Sequence, residues 1–255
     1  MLTGQRGVFK ELSMPYELYY WPNIQGRGEF VRLALEEAGE DYVDVARSGD
    51  AGMAEMMKIL KDDTHSPFAP PFLKDGDILI SHVANILLYL GPKLHLAPRS
   101  EKASFFAHGL QLTITDFVAE AHDVHHPIST ELYYEDQIEE AKARSQYFIK
   151  LRIPKFLAYF ESILMDNSES REFAIGVRLT YVDLSLFQVI EGLHYAFPRA
   201  LKTFASKYPA LDRLRDKVRE RPNIARYLES ERRIPFNESG VFRHYPELDK
   251  APRSK

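Results

Sequence analysis

The sequence changes character near residues 93–100, and this change constrains the fold more than any single motif. Before it, short β-type segments alternate with amphipathic stretches; after it, residues 101–232 carry only helical periodicity. A chain of 255 residues is long enough to bury a core in each of two such units. We therefore predict a small mixed α/β unit followed by an all-helical unit.

The first unit opens with an aromatic strand, a Pro/Gly turn and an amphipathic helix that stops at Gly39. Farther along, Asp75-Gly76 is a hairpin turn signal, and it follows a proline-rich loop at 62–71. The predicted elements are strands at 16–21, 42–45, 72–73 and 78–80, and helices at 29–38, 51–61 and 84–90. This β-α-β-α-β-β-α order fits a small mixed sheet with helices packed on it.

In the second unit we predict helices only. They lie at 101–126 and 135–165, from about 181 onward, and at 198–207, 209–220 and 222–231. The pair Thr180 and Asp183 forms a Thr-x-x-Asp N-capping pattern before one of them. Residues 234–255 are expected to be an irregular tail, and residues 1–14 a disordered extension.

Composition excludes several classes of protein. The net charge of −4 gives no support for nucleic-acid or anionic-membrane binding. No cysteine is present, which rules out disulfides, a cysteine nucleophile and thiolate metal ligands. No apolar run approaches the length of a membrane span, and residues 1–14 lack the apolar core of a signal peptide. We expect a cytoplasmic protein, and any thiol chemistry must use a thiol that the ligand brings.

Three separated motifs together resemble one family. They are Tyr20-Trp21-Pro22 at the end of the first strand, the proline before the third strand, and the 173–186 segment with Gly176, Thr180 and Asp183. The chain resembles the cytosolic glutathione transferases with a tyrosine-type (alpha-, mu-, pi- or sigma-like) active site, over roughly residues 16–230. The resemblance implies a thioredoxin-like glutathione-binding domain at 15–92 and an all-helical domain at 100–233.

The activity that this resemblance implies is conjugation of glutathione to a small hydrophobic electrophile, by a homodimer that uses glutathione as co-substrate and no cofactor or metal. Two alternatives on the same scaffold stay open. One is a non-catalytic ligand carrier, and the other is a glutathione-dependent isomerase or ether-cleaving enzyme.

The catalytic candidates are Tyr20 and Arg27. Strand alternation alone does not choose among the tyrosines of the first strand, and each on its own is more often a core residue. The resemblance selects Tyr20 as the hydroxyl that faces the bound thiol, and Arg27 as a cation near the sulfur. The turn holds one residue more before Gly26 than is usual in the family, and Asn23 is an alternative donor.

The glutathione-binding residues also follow from the resemblance. Ala69 is expected to offer its backbone to the cysteinyl part of glutathione beside a cis-proline, Pro70, although Pro71 is not excluded. Lys58 or Lys61 is a candidate partner for the glycyl carboxylate. Asp116 is expected to reach the glutamyl amine of the partner subunit, but it also suits a solvated helix face.

The sequence departs from the family at His82 and Val83. Most relatives carry Gln or Glu followed by Ser or Thr here, and these groups bind the γ-glutamyl carboxylate at a helix N-terminus. Val83 removes one hydroxyl donor, which we expect to weaken glutathione binding by about 0.5–1.5 kcal/mol.

For the electrophile pocket, the resemblance points to Trp21, His122 and His126. The two histidines are four residues apart and share a helix face. An imidazole near its usual pKa of about 6.5 could polarise a carbonyl or a leaving oxygen. A plain helix-end histidine cluster is the alternative. A metal site is disfavoured because no convincing further ligand accompanies the histidines.

Overall fold

The computed structural model describes residues 14–62, 65–204 and 206–250. It has the mixed unit and the helical unit that the sequence predicts, in that order. The expected disordered extension lies outside the described residues, except for Met14, and so does the end of the tail beyond Lys250.

The strands are β1 (Tyr16–Tyr19), β2 (Tyr42–Asp44), β3 (Phe72–Asp75) and β4 (Ile78–Ser81). The α-helices are α1 (Gly28–Ala38), α2 (Asp50–Leu60), α3 (Val83–Lys93), α4 (Glu101–Asp123), α5 (Ile138–Tyr147), α6 (Ile153–Asp166), α7 (Tyr181–Ala196), α8 (Pro198–Phe204), α9 (Pro209–Arg219) and α10 (Pro222–Leu228).

The four strands form one sheet in the order β2-β1-β3-β4. Strands β1 and β2 are parallel because α1 carries the chain back between them, whereas β3 and β4 form the predicted antiparallel hairpin. Tyr19 of β1 pairs with Phe72 of β3, and their rings stack with centroids 4.6 Å apart. This contact places the end of β1 beside the loop that leads into β3.

Helix α1 joins the two units. Nearly all of its residues are buried, because one side covers the sheet and the other packs against α7 and α10. Gly39, with φ +68°, ends the helix as predicted. The start of this helix, and the turn before it, therefore lie between the two units.

The predicted cap of α7 is present as a full capping box. The Thr180 N–H donates to Asp183 Oδ2 at 2.7 Å, and the Thr180 hydroxyl donates to the same oxygen at 2.9 Å. Asp183 Oδ1 accepts the N–H of Ala174 at 2.7 Å, which fastens the preceding loop to the helix. The Thr-x-x-Asp pattern thus orders both the helix start and the segment that leads into it.

Several predicted boundaries were wrong. Strand β1 ends at Tyr19 and α4 at Asp123, both earlier than expected. Helix α3 continues through Gly91 and Pro92 to Lys93, so Gly91 does not end the helix as predicted. Gly91 instead allows close packing, because a side chain there would collide with the ring of Tyr181. The long helix predicted at 135–165 is interrupted by a π-type turn at Phe148–Arg152, between α5 and α6.

Within the described part of the chain, no helix combines the length and apolar character that crossing a membrane requires. Residues 234–250 contain no helix or strand, as predicted, yet they are well anchored. Asp249 accepts the N–H groups of Arg199 and Ala200 at the start of α8, and Val241 and Phe242 are buried.

Candidate functional site

A cavity of about 630 Å³ lies between the two units. One wall comes from the start of α1, the loop before β3 and the start of α3, and the other comes from α4 and the loop after it. The lining residues are Arg27, Phe30, Phe68, Ala69, Pro70, Pro71, Ser81, His82, Val83, Gln111, Ile114, Thr115, Val118, His122, Asp123 and Thr130.

Six of the residues singled out in the sequence meet at this cavity: Arg27, Ala69, Pro70, His82, Val83 and His122. Tyr20, Trp21, Lys58, Asp116 and His126 are not among the described residues that line it. Lys58 and Asp116 are exposed, on α2 and α4 respectively. Their expected roles therefore stay predictions.

Tyr20 lies directly behind Arg27 and is only 4% exposed. Its hydroxyl accepts the backbone N–H of Arg27 at 2.8 Å. The turn closes tightly over the ring, so a side chain at Gly26 or Gly28 would collide with Tyr20. Burial raises the pKa of Tyr20, and the Arg27 N–H only partly opposes that effect. The hydroxyl thus keeps its proton and is able to donate a hydrogen bond.

Tyr19, its neighbour, has a structural role. Its hydroxyl donates to Glu55 Oε1 at 2.8 Å and lies 3.0 Å from Glu17 Oε2, on the opposite face of the sheet from α1. Because these carboxylates and the stacked Phe72 occupy the side chain, Tyr19 is not available to a ligand in the cavity.

The cis peptide bond joins Pro70 to Pro71, so the prediction that Pro70 is the cis-proline was wrong. The residue before the cis-proline is Pro70 and not Ala69. Proline has no backbone N–H, so Pro70 offers a ligand only its carbonyl oxygen.

His82 and Val83 form the start of α3 at the cavity wall. His82 has φ +72°, and its Nδ1 accepts the N–H of Ala84 at 3.3 Å. The imidazole therefore caps the helix, which uses one of the backbone donors that a bound carboxylate would otherwise find there. Val83 is buried and contributes only its backbone N–H as a donor.

The histidines at the end of α4 divide into separate roles. His122 lines the cavity, and burial, followed by the nearby charge of Arg27, lowers its pKa to about 3. The expectation that this imidazole titrates near 6.5 was wrong, because desolvation disfavours its charged form. His122 is a neutral hydrogen-bonding group at physiological pH.

His125 and His126 serve the surrounding structure. His125 is 2% exposed, and its Nε2 lies 2.9 Å from the carbonyl oxygen of Val241 in the tail. His126 Nδ1 lies 3.1 Å from the carbonyl oxygen of Leu132, in the loop after α4. No three His, Asp or Glu side chains among the described residues are arranged to hold a metal ion.

Sequence reasoning missed Gln111 and Phe68. Gln111 is 1% exposed, lines the cavity, and its Oε1 has no hydrogen-bond partner among the described residues. With Thr115, Val118 and His122 it forms one α4 stripe at spacings of four, three and four residues, which helical periodicity could have shown. Phe68 is fully exposed at the cavity rim, and no local pattern in the sequence marks it.

Comparison with known proteins finds that the chain is similar to glutathione S-transferases. Residues 122–231 match a family profile described as the C-terminal domain of glutathione S-transferase. A glutathione S-transferase of Plasmodium falciparum is 27% identical over 83% of this chain and 93% of its own length. Glutathione S-transferase 2 of Onchocerca volvulus is 26% identical over 89% of this chain and 99% of its own.

Solved structures share the fold. The Pi-class glutathione S-transferase of Onchocerca volvulus superposes with a TM-score of 0.60 at 24% identity, covering 85% of this chain and 93% of that one. A structure described as prostaglandin synthase D of Nilaparvata lugens gives a TM-score of 0.65 at 21% identity, covering 87% of this chain and all of that one. These likenesses bear out the predicted thioredoxin-like domain followed by an all-helical domain.

Proposed function

From these similarities we propose that the chain is a cytosolic glutathione transferase that joins the glutathione sulfur to a hydrophobic electrophile through a tyrosine-stabilised thiolate. One observation carries the proposal. Arg27, the Ala69–Pro71 loop and the start of α3, far apart in sequence, form one wall of a cavity whose other wall is α4. Thiol and electrophile then occupy opposite walls, within reach of each other.

In this proposal the Tyr20 hydroxyl keeps its proton and donates a hydrogen bond to the glutathione thiolate. A thiol with an ordinary pKa of about 8.5 is mostly protonated at neutral pH. A hydrogen bond to a charged group contributes about 1.5–3 kcal/mol, which lowers the thiol pKa by about one to two units. Because the Tyr20 oxygen already accepts from Arg27, its own O–H is left for the sulfur. The Arg27 side chain adds a positive charge at the same wall.

The remainder of glutathione would lie along the same wall. The Pro70 carbonyl accepts from the cysteinyl N–H, and the start of α3 attracts the γ-glutamyl carboxylate. Lys58 or Lys61 would approach the glycyl carboxylate. The electrophile would pack on Phe30, Ile114 and Val118, with His122 as a neutral polar neighbour.

We also propose a homodimer. Helix α4 presents a solvent-exposed apolar face with Phe105, Phe106 and Leu112. Asp116 is exposed farther along the same helix. A second copy packed on this face would cover the apolar side chains and bring Asp116 toward its partner's glutamyl amine. The cytoplasmic location expected from the sequence stays a prediction.

A ligand carrier is the second candidate, and two features favour it. Val83 lacks a hydroxyl and Pro70 lacks an N–H, and each of these groups would bind glutathione. The site therefore offers glutathione two polar contacts fewer than a site that has both groups. A carrier would use the same cavity for an apolar ligand, with weak or no glutathione binding.

Calorimetric titration with glutathione, followed by turnover of haloarene and enone electrophiles, separates the two candidates. We expect a dissociation constant in the micromolar to millimolar range and measurable turnover. Ala69→Trp should block the cavity and abolish both, whereas Ala143→Trp, at an exposed position of α5 away from the cavity lining, should leave them unchanged. Absence of heat, thermal shift and turnover with the unaltered protein would favour the carrier.

A further inference from the structure

The turn that carries Arg27 is fastened from the far end of the chain. Gln25 is 4% exposed, and its Nε2 donates to the carbonyl oxygen of Ile234 at 2.5 Å. Asn237 Nδ2 donates to the carbonyl oxygen of Asn23 at 2.8 Å. Two residues of the tail therefore hold two residues of the turn, across more than 200 positions of sequence.

Behind the turn, the contacts continue through buried side chains. Gln188 of α7 donates to Gln25 Oε1 at 2.8 Å, and its own Oε1 accepts from Arg233 at 3.1 Å. Arg233 also pairs with Glu29, in the first turn of α1. Arg32 completes the set with hydrogen bonds to Glu29 at 3.2 Å and to the Gln25 carbonyl at 3.3 Å. The side chains of Glu29 and Arg32 are fully buried, and that of Arg233 is 9% exposed.

This network bears directly on the proposed thiolate site. Residues 22–27 form no helix or strand, so contacts from other parts of the chain must select one conformation of this turn. Its last residue, Arg27, supplies the N–H that fixes the Tyr20 hydroxyl. Displacing Gln25 or Glu29 would move that N–H and thereby change where the hydroxyl points.

We propose that Arg233, the last residue before the tail, and Asn237 of the tail are positioning residues, which hold the 22–27 turn so that Arg27 and Tyr20 face the glutathione sulfur. The inference rests on the proposed function, since it assigns the tail a part in lowering the pKa of the bound thiol. Neither residue touches the thiol itself. Each acts through the backbone or side chain of the turn.

The test compares Arg233→Lys with Arg232→Lys. Lysine at 233 keeps a positive charge for Glu29 but cannot also bridge to Gln188, as the two-pronged guanidinium does. Arg232 is the matched control because it pairs with Glu36, two helical turns beyond Glu29 on α1, and no hydrogen bond or ion pair among the described residues joins its side chain to the turn. Asn237→Ala, at a more accessible contact, serves as a second variant if Arg233→Lys folds poorly.

The primary readout is the ultraviolet absorbance of the bound thiolate across pH. We expect Arg233→Lys and Asn237→Ala to lower the thiolate fraction below the pKa by at least about threefold, equal to half a pKa unit, with KM for glutathione little changed. Arg232→Lys should match the parent. A merely structural role would lower the melting temperature without moving the thiol pKa.

Hydrogen exchange of the backbone amides at 25–28 supplies a readout that needs no activity. We expect faster exchange in Arg233→Lys and parental exchange in Arg232→Lys. If the parent lowers the thiol pKa and both tail variants retain that pKa and the parental exchange, the positioning role is wrong while the proposed function stands. If the parent binds glutathione without lowering its thiol pKa, the thiolate mechanism fails and the tail's role in it fails with it.

Discussion

The two walls of the cavity are stabilised in opposite ways. Behind the α1 wall, buried charges are balanced: Glu29 and Asp44 face Arg32 and Arg233. Burial alone would raise the pKa of Glu29, but Arg233 and Arg32 hold it below its usual value. On the α4 side, half-buried His122 lines the cavity with Asp123 Oδ1 3.7 Å from its Nδ1, and buried His125 lies just behind the lining; burial lowers the pKa of both.

This difference separates the constant part of the site from the variable part. Charges paired in the interior keep their protonation state across physiological pH, so the turn that carries Arg27 has a fixed geometry. Neutral histidines donate or accept hydrogen bonds in either tautomer, and the α4 wall can thus meet different electrophiles. The lowered pKa values of these histidines also make the α4 side of the cavity the part whose stability depends on acid.

The largest expected effect comes from breaking the charge balance. Glu29→Gln leaves Arg32 and Arg233 buried together without their shared anion, which should lower the free energy of unfolding by about 3–5 kcal/mol. Glu139→Gln, which breaks an exposed pair with Lys142, should cost under about 1 kcal/mol. Urea unfolding measures both, and similar small losses would show that the buried network contributes little.

Buried His125, just after α4, should make the protein less stable in acid. The pKa of His125 falls to about 2 in the folded protein, against about 6.5 unfolded, so the unfolded chain binds the extra proton between these values. Stability should therefore decrease as the pH falls below 6.5, by about 2 kcal/mol at pH 5 for this group.

His125→Gln tests that assignment, because glutamine does not titrate but can still hydrogen bond the Val241 carbonyl. We expect a shallower dependence of the unfolding free energy on pH between 7 and 5, whatever the stability at pH 7. An unchanged slope would mean that other groups dominate the acid response.

Restoring a hydroxyl at the start of α3 should strengthen glutathione binding. Val83→Ser or Val83→Thr adds one donor for the γ-glutamyl carboxylate, worth about 0.5–1.5 kcal/mol, or roughly two- to tenfold in affinity. Val177→Ser, at an exposed valine outside the cavity lining, is the control. Calorimetry that shows equal or weaker binding would indicate that backbone donors suffice or that His82 has replaced the hydroxyl.

The smallest effect concerns selectivity at the α4 wall. His122→Ala removes a neutral hydrogen-bonding group from the cavity and should reduce turnover of carbonyl-bearing electrophiles several-fold, but not of simple haloarenes. His126→Ala is the matched control, since that side chain bonds the Leu132 carbonyl outside the lining. Equal rates for both variants across the electrophile panel would make His122 a bystander.

Local chemistry explains what the sequence could predict. The Thr180–Asp183 cap, the Asp75-Gly76 hairpin and the stop at Gly39 depend on neighbours within a few residues, and the structure has all three. They suffice for the order of elements and thus for the fold class.

The contacts that hold the turn before α1 could not be predicted, because they pair Glu29 with Arg233 and Gln25 with Ile234 across the length of the chain. Nothing local marks these residues as partners. The choice between Pro70 and Pro71 likewise depends on how the loop docks against β1, and the neutral state of His122 depends on burial by distant segments.

Titration of the thiolate of bound glutathione, in the parent and in Tyr20→Phe, tests the proposed mechanism most directly. We expect the parent to hold the bound thiol pKa at least about one unit below the ordinary value of about 8.5, and Tyr20→Phe to raise it by about one to two units. Glutathione affinity measured at low pH should stay similar in the two proteins. If the bound thiol has the same pKa in both, Tyr20 does not stabilise the thiolate, and the role passes to Arg27 or Asn23.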